Sequence, residues 1–309
     1  MALTLIEAAK RNAGDVMRAA VIETYARSSD ILRVLPFENI AGNALKYNQE
    51  QALPGIGFRG VNEGYTESTG VLNPQTEPLV IAGGDLDVDR FITQTMGGDQ
   101  RTTQEMMKVK SLAHTWQHKF IKGDNGSNSK EFDGLQNRLT GTQLIAAGST
   151  SGGNALTLAK LDELIDSVDE AEYLLMSKAM RRRLTAAART PSVSGYITYT
   201  QDEFGRQVTR YNDLPILIAD DNGAVFDTLA FNEANPGGGS NVGTSLYCLS
   251  FGDGKLTGIQ NGDIDVRDLG ELESKPSERT RVEWYAGIAL FHPQSASRLW
   301  GISDAAITA

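Results

Sequence analysis

Several places along the chain carry residue types that can do chemistry. Gly55-Ile56-Gly57-Phe58-Arg59-Gly60 has the spacing of a dinucleotide-binding loop, whose glycines let backbone approach a pyrophosphate at a helix N-terminus. That use requires a strand before the loop and a helix after it. No apolar strand precedes it and Val61-Asn62-Glu63-Gly64-Tyr65-Thr66 is not a helix start, so the glycines are expected to permit bends in a hairpin. Asp85, Asp87 and Asp89 imitate the opening of a calcium loop, but Arg90 replaces the glycine of its sixth position and Met96 the bidentate glutamate of its twelfth. Asp253-Gly254-Lys255 lacks the upstream glycine and the magnesium-binding hydroxyl of a phosphate-binding loop, where Leu249 and Leu256 stand instead, and reads as a β-turn. His114 and His118 share the spacing of a zinc pair, yet Thr115 stands where a zinc protease has its glutamate, and the third histidine, His292, is far away. Cys248 lies in an apolar strand, where a buried inert thiol is the default. No nucleophile–base constellation can be assembled from three histidines and one cysteine, so no catalytic, cofactor-binding or metal-ligating residue is expected.

The elements that position these residues belong to a chain of 309 residues, 40% apolar and 22% charged, long enough for a sizeable core and more consistent with two domains than one. One cysteine excludes an intrachain disulfide and any multi-cysteine metal site. Charges at Glu7, Lys10 and Arg11 interrupt the start before a secretory apolar core forms, and no window approaches the length of a membrane helix, so a soluble protein made in the cytoplasm is expected. The formal net charge of −10 argues against wrapping nucleic acid by counterion release. That charge is uneven: +1 over residues 1–33, −6 over 34–89, +4 over 90–122 and −9 over 123–309.

Leu5, Ile6, Ala9, Ala13, Val16, Met17, Ala20, Val21 and Tyr25 form one helical stripe, an amphipathic arm that ends near Ser28-Ser29-Asp30; Leu32 to Phe37 is too short and punctuated to continue it. Tyr47 to Asp89 changes character, with seven glycines and short apolar pairs that fit a long hairpin without a core of its own. Thr102-Thr103-Gln104-Glu105 reads as a capping box, after which Met106, Val109, Ala113, Trp116 and Phe120 recur at helical steps up to Lys122 and Gly123. Leu158 to Val168 and Met180 to Ala187, behind Ser177, give two further helices. Ile197–Thr200, Val208–Tyr211 and Leu214–Ala219 read as strands, so residues 150–260 form an α+β unit containing a flexible loop at Pro236 to Ser240. Val282, Trp284, Ala286, Ile288 and Leu290 alternate along a long half-buried strand, and Ser303 to Ala309 are expected to fray. Arg181-Arg182-Arg183 is either a solvated helix face or a contact to an acidic surface.

An arm, a coreless hairpin, a long basic helix, an α+β insert and a return strand, in that order, suggest a chain that buries its extensions on copies of itself. With Val34-Leu35-Pro36-Phe37, Leu53 to Tyr65, Phe120-Ile121-Lys122-Gly123-Asp124 and Phe132-Asp133-Gly134-Leu135, the sequence resembles the major capsid proteins of tailed bacteriophages, of the Hong Kong 97-type fold. The resemblance implies an α+β fold divided into an N-terminal arm (1–33), the start of a peripheral P-domain (34–45), an extended E-loop (46–88), the P-domain with its spine helix (89–171), an axial A-domain (172–260), and P-domain return strands with the C-terminus (261–309). It further implies no enzyme activity and no cofactor. The implied role is self-assembly into hexamers and pentamers of an icosahedral head around double-stranded DNA held without sequence-specific binding. The implied partners are a portal, possible decoration proteins and a scaffolding protein made separately, since the arm starts at Met1; membranes are not among them. The implied place is the virion, with assembly in the bacterial cytoplasm.

Between Lys46 and Lys108 there is no lysine, so the isopeptide weld of some members is not expected. Ile56, Phe58, Arg59, Glu63, Tyr65 and Glu67 on the hairpin, and Lys108 and Lys110 on the basic helix, are the candidate intersubunit contacts. The alternatives are an encapsulin-like compartment shell and a nucleotide-binding enzyme using Gly55 to Gly60.

Overall fold

The computed structural model describes residues 3–4, 29–96, 99–189, 197–201, 207–219, 228–239 and 242–308. The helical stripe expected over residues 5–25 lies outside the described residues. From the N-terminus the elements are β1 (Leu3–Thr4), α1 (Asp30–Val34), β2 (Pro36–Asn39), β3 (Ala44–Ala52), β4 (Val71–Pro78), β5 (Val80–Asp89), α2 (Arg90–Met96) and α3 (Asp99–Lys122). Then follow α4 (Leu135–Arg138), β6 (Leu144–Ala146), α5 (Leu158–Asp166), β7 (Tyr173–Met176), α6 (Lys178–Ala187), β8 (Ile197–Gln201), β9 (Gln207–Tyr211) and β10 (Leu214–Ile218). The chain closes with β11 (Thr244–Leu249), β12 (Leu256–Gln260), β13 (Asp265–Glu271), β14 (Ser277–Leu290) and β15 (Ala296–Ile302).

The elements form two sheets and a separate hairpin. The first sheet runs β1-β2-β12-β14-β13, with β5 also pairing along β14 from Ser277↔Asp89 to Ala286↔Val80. The second runs β6-β15-β11-β7-β10-β9-β8, and among the described residues β3 pairs only with β4. The expected return strand is β14, whose Val282, Trp284, Ala286 and Ile288 are buried at every second residue, as a pleated strand with one face inward requires.

The long helix α3 packs on that face. Val109, Ala113, Trp116 and Phe120 are buried as their spacing predicts, and Trp116 lies 5.7 Å from both Phe37 and Trp284, 5.3 Å from Phe120 and 6.1 Å from Phe132. Its start differs from expectation. The helix begins at Asp99, so Thr102 to Glu105 is not a cap; Glu105 is buried, accepts from Thr280 Oγ1 at 2.8 Å and pairs with Arg101 at 3.2 Å. Met106 is exposed, because the buried stripe passes through Glu105 and Val109 instead. The end is as read: Gly123 follows Lys122, and a Cβ there would lie against the carbonyl oxygen of Phe132.

The second sheet separates two apolar cores. Along β11, Tyr247 and Leu249 face the core that holds α3, while Leu246 and Cys248 face the core of α5 and α6 with Leu161, Leu164, Met180 and Leu184. The neighbouring β7 splits likewise, Leu175 on one side and Leu174 and Met176 on the other, so these short apolar runs are covered on both faces. Ser177 caps α6 by accepting from Met180 N, as expected.

Strand pairing corrects several boundaries. Asp30 starts a short helix capped by Ser29 where a punctuated segment was expected. The hairpin ends at Pro78, and Val80–Asp89, expected within the 46–88 extension, is a strand of the first sheet. β12 lies in the expected 172–260 unit but pairs with β14 and β2, whereas β15, expected among the returns of the other unit, pairs with β11. The last residues are held: Thr308 N donates to Leu156 O at 3.0 Å, Leu158 N to Thr308 O at 3.1 Å, and Arg183 pairs with Asp304. The Gly237 to Gly239 loop is tied to its neighbour through Ser151 Oγ and Gly152 N, which both donate to Gly238 O.

Phe37 reaches the aromatic cluster only because Gly258 on the adjacent β12 has no side chain; a Cβ there would lie 2.5 Å from the ring. Gly258→Ala is expected to push the ring aside and cost about 1–3 kcal/mol, read as a lower urea midpoint than that of the unsubstituted chain.

Candidate functional site

The sequence-selected residues fall into two groups that one chain does not bring together. Residues 53–70 form the tip of the β3–β4 hairpin, entirely exposed and without strand or helix. Local bonds shape it: Gly55 N donates to Ser68 Oγ at 2.8 Å, Gly60 N to Glu63 Oε2 at 2.8 Å, and Arg59 donates to Glu63 O at 3.3 Å while lying 5.2 Å from the centre of the Tyr65 ring. These bonds turn the chain without covering its apolar side chains. Leu53, Ile56, Phe58, Val61 and Tyr65 all face solvent, Ile56 at 93% exposure. A strand, β3, does precede the glycines, but the element after them is β4 and not a helix, so the helix terminus that a dinucleotide loop needs is missing there.

The second group is on α3. Lys108 and Lys110 are two residues apart and so point to different sides of the helix. Lys108 leans over β5, its Nζ above Gly84, and helps line a groove of about 380 Å³ between Val80–Gly84, one side of α3, and the 128–132 segment. Leu112, Trp116 and Phe132 give the groove an apolar lining, and Lys119, paired with Glu131 at 2.7 Å, stands at its border. Among the described residues Lys108 has no ion-pair partner, and the buried Trp116 Nε1 has no acceptor. Lys110 is exposed and outside the groove.

The acidic character expected of the hairpin region is partly spent inside the chain. Asp85 and Asp87 on β5 form a ladder with Arg281 and Arg279 on β14, with bidentate contacts of 2.7 and 2.9 Å and of 2.6 and 2.9 Å, and Lys275 also reaches Asp87 at 2.7 Å. Hydrogen bonds from Arg281 hold the Asp85 carboxyl below the usual carboxylate range, and those from Arg279 and then Lys275 hold Asp87 further below it. The period-two pattern Asp85-Leu86-Asp87 against Arg279-Thr280-Arg281 was a signal of cross-strand pairing available in the sequence. Arg101, counted in the basic helix, is occupied by Asp268 at 2.8 Å and Glu278 at 2.7 Å.

Where the hairpin leaves the body, Glu77 is buried in a bidentate pair with Arg138, and Tyr47 Oη donates to Leu290 O at 2.9 Å. Burial and the neighbouring Glu77 raise the Tyr47 phenol to about 12, which keeps it a donor. Sequence reasoning missed this cluster, whose members are 61 and 243 residues apart in pairs.

The other candidates resolve plainly. Asp253 to Lys255 lies in a turn in which Lys255 N donates to Gly252 O. His118 is half-buried beside Thr228, with its imidazole lowered by burial and by Lys119 and Lys122. Burial raises the Cys248 thiol to about 12, as an inert core cysteine requires. Among the described residues no group of three His, Cys, Asp or Glu side chains is placed to hold a metal ion.

No family model and no curated protein matches the sequence. Solved structures do match its fold. The holo-SrpI encapsulin complex from Synechococcus elongatus PCC 7942 aligns with a TM-score of 0.65 at 16% identity, over 90% of this chain and 89% of that one. The capsid of a native GTA particle aligns at 0.62 and 14% identity over 89% and 91%, and a chain of Microbacterium phage Oxtober96 at 0.61 and 13% over 89% and 90%. The chain has the Hong Kong 97-type capsid fold. In each case about nine-tenths of this Hong Kong 97-type chain and of the matched chain align.

The ladder makes a pH-dependent contribution of defined sign. Depressed carboxyl values stabilise the fold above the unfolded value near 3.8 and lose that contribution as pH falls through the folded value. Asp87→Asn is therefore expected to lower the melting temperature by a constant amount between pH 7 and about pH 5. The gap should close as wild type is acidified below 3.8, as melting curves across that range would show.

Proposed function

We propose that this chain is a shell-forming capsid protein whose copies assemble into the hexamers and pentamers of a phage head around double-stranded DNA. The observation that carries the reading is the hairpin tip. Five large apolar side chains stand in solvent on a chain with the fold of capsid proteins, and a protein stable as a monomer has no reason to display them there. On this reading residues 172–260 supply most of an axial unit, the first sheet and α3 form a peripheral one, and the hairpin crosses to the long-helix surface of a neighbour. Ile56, Phe58 and Tyr65 would supply apolar contact there, and Glu63 and Glu67 would face lysines of the long helix, Lys108 beside the groove or Lys110 on another side of the helix. A portal, separate scaffolding and decoration proteins belong to the same proposal, as do the virion as its location and the bacterial cytoplasm as its place of assembly.

A second reading, an encapsulin-like compartment loaded with an enzyme, is favoured by the likeness to the SrpI encapsulin complex. The two differ in contents. Particles isolated from the native host are expected to be closed shells by electron microscopy and to protect double-stranded DNA from nuclease; a co-purifying cargo enzyme without DNA would select the second reading, and a persistent monomer would overturn both.

Charge tests the contact. Glu63→Lys with Glu67→Lys is expected to weaken assembly, more so at low salt, because like charges then meet over less screening. Glu67→Lys alone should act in the same direction, and it leaves intact the Gly60–Glu63 bond that shapes the tip. Light scattering at two ionic strengths reads both, and unchanged assembly in each would remove the charge contact.

A further inference from the structure

We infer that Glu77, Arg138 and Tyr47 form a clamp that sets the direction of the hairpin relative to the body. Among the described residues β3 and β4 pair with each other from Ala44↔Pro78 to Ala52↔Val71 and with no strand of either sheet; backbone bonding to the first sheet stops at the base, where Val80 pairs with Ala286 and Ile40 N donates to Gln260 O, so the direction of the hairpin beyond that base is left to side chains. Among the described residues, the polar links from residues 44–78 to the rest of the chain are side-chain links at one place. They are the Glu77–Arg138 pair, with Tyr47 Oη and Gln49 Nε2 donating to Leu290 O at 2.9 and 3.5 Å. Tyr47 also packs against Phe291 with ring centres 4.7 Å apart.

The chemistry suits a rigid fixture. Arg138 is itself held, its Nε donating to Asp133 O at 2.6 Å, so the guanidinium plane is set before Glu77 meets it. Two parallel donors to two carboxylate oxygens then fix an angle as well as a distance, which a single contact cannot do. Both side chains are nearly buried, at 13% and 10% exposure, so solvent screens the pair little while it is closed. A polar cleft of about 470 Å³ beside them leaves room for the hairpin to swing, and the clamp is what opposes it.

The lever is long. The thirteen steps from Tyr47 to Gly60 span at most about 45 Å, so a rotation of about 10° at the root moves the tip by up to about 8 Å, more than a side-chain contact tolerates. A loose root would therefore scatter the tip across several positions on a neighbour. That last step rests on the shell-forming reading; the clamp itself does not.

The test measures the root directly. Nitroxides at Thr66→Cys and Gln294→Cys, on full chains diluted into unlabelled protein, report the tip-to-body distance, since the buried Cys248 does not compete for label. Wild type is expected to give one narrow distribution. Arg138→Met should broaden it, and Arg138→Lys, which keeps the charge but loses the fork, should broaden it less. Glu77→Arg with Arg138→Glu should narrow it again. If Arg138→Met does not fold by circular dichroism, Arg138→Lys and Tyr47→Phe carry the test. A distribution as narrow as wild type in the folded single variants would overturn the clamp. Electron microscopy of the same variants is expected to show mixed particle sizes. If wild type forms no shells, the shell-forming reading fails while the distance measurement still decides the clamp.

Discussion

Trp116 packed between Phe37 and Trp284 is the contact on which the remaining architecture hangs. Its three rings come from the helix, a strand near the N-terminus and the return strand, and each aromatic of this kind buries roughly 150–250 Å², or about 4–6 kcal/mol at 25 cal/mol per Å². A typical hydrogen bond contributes only about 1 kcal/mol net. Apolar burial therefore decides where α3 lies, and polar contacts such as Trp284 Nε1 to Gln260 Oε1 at 3.1 Å then set the register of what surrounds it.

Once α3 is seated, its polar edge joins the two cores. Gln117 donates to Ala219 O, His118 meets Thr228, and Lys122 lies 3.6 Å from Glu233, which also binds Arg298 and Ser245. The helix is thus one wall of the first core and a polar seam toward the 228–233 segment beside the second sheet. The buried Glu233 carboxylate is tolerable because Arg298 and Ser245 both donate to its Oε2 and Lys122 stands near Oε1, and losing Arg298 would be costly.

The hairpin answers to a different constraint. Its strands pair with each other, yet its tip has no apolar surface of its own chain to rest on, and beyond the backbone pairing that ends at Ile40 and Val80 its root is held by side chains. Acids that give the 34–89 region its charge of −6 are divided by this arrangement. Glu77, Asp85 and Asp87 are neutralised within the chain by arginines and Lys275, while Glu63 and Glu67 at the tip remain outward. The regional charge is accordingly less available to a neighbour than a simple count implies, and what is available is concentrated at the tip.

Periodicity alone identified the burial of Val109, Ala113, Trp116 and Phe120 and the alternation from Val282 to Leu290, because a helix face and a strand face repeat over a few residues and one apolar side must be covered. The same local logic misread Glu105 as a cap: its partner Thr280 is 175 residues away, and nothing nearby announces that the helix begins earlier, at Asp99. The glycine spacing at Gly55 to Gly60 lacks the helix that a dinucleotide loop needs after it, and that absence of a helix start is a local fact that the structure repeats by placing β4 there. Which strands joined which sheet was not local. β15 crosses to the second sheet and β5 leaves the hairpin for the first, because a strand's partner is chosen by which apolar faces are left to bury once the helix is in place. The sequence by itself determined the buried faces of the long helix and return strand and a hairpin without a core of its own. Only the tertiary structure decided the clamp at its root and the arginine ladder beside it, since both are pairings of charges distant along the chain that become neighbours only when the cores close.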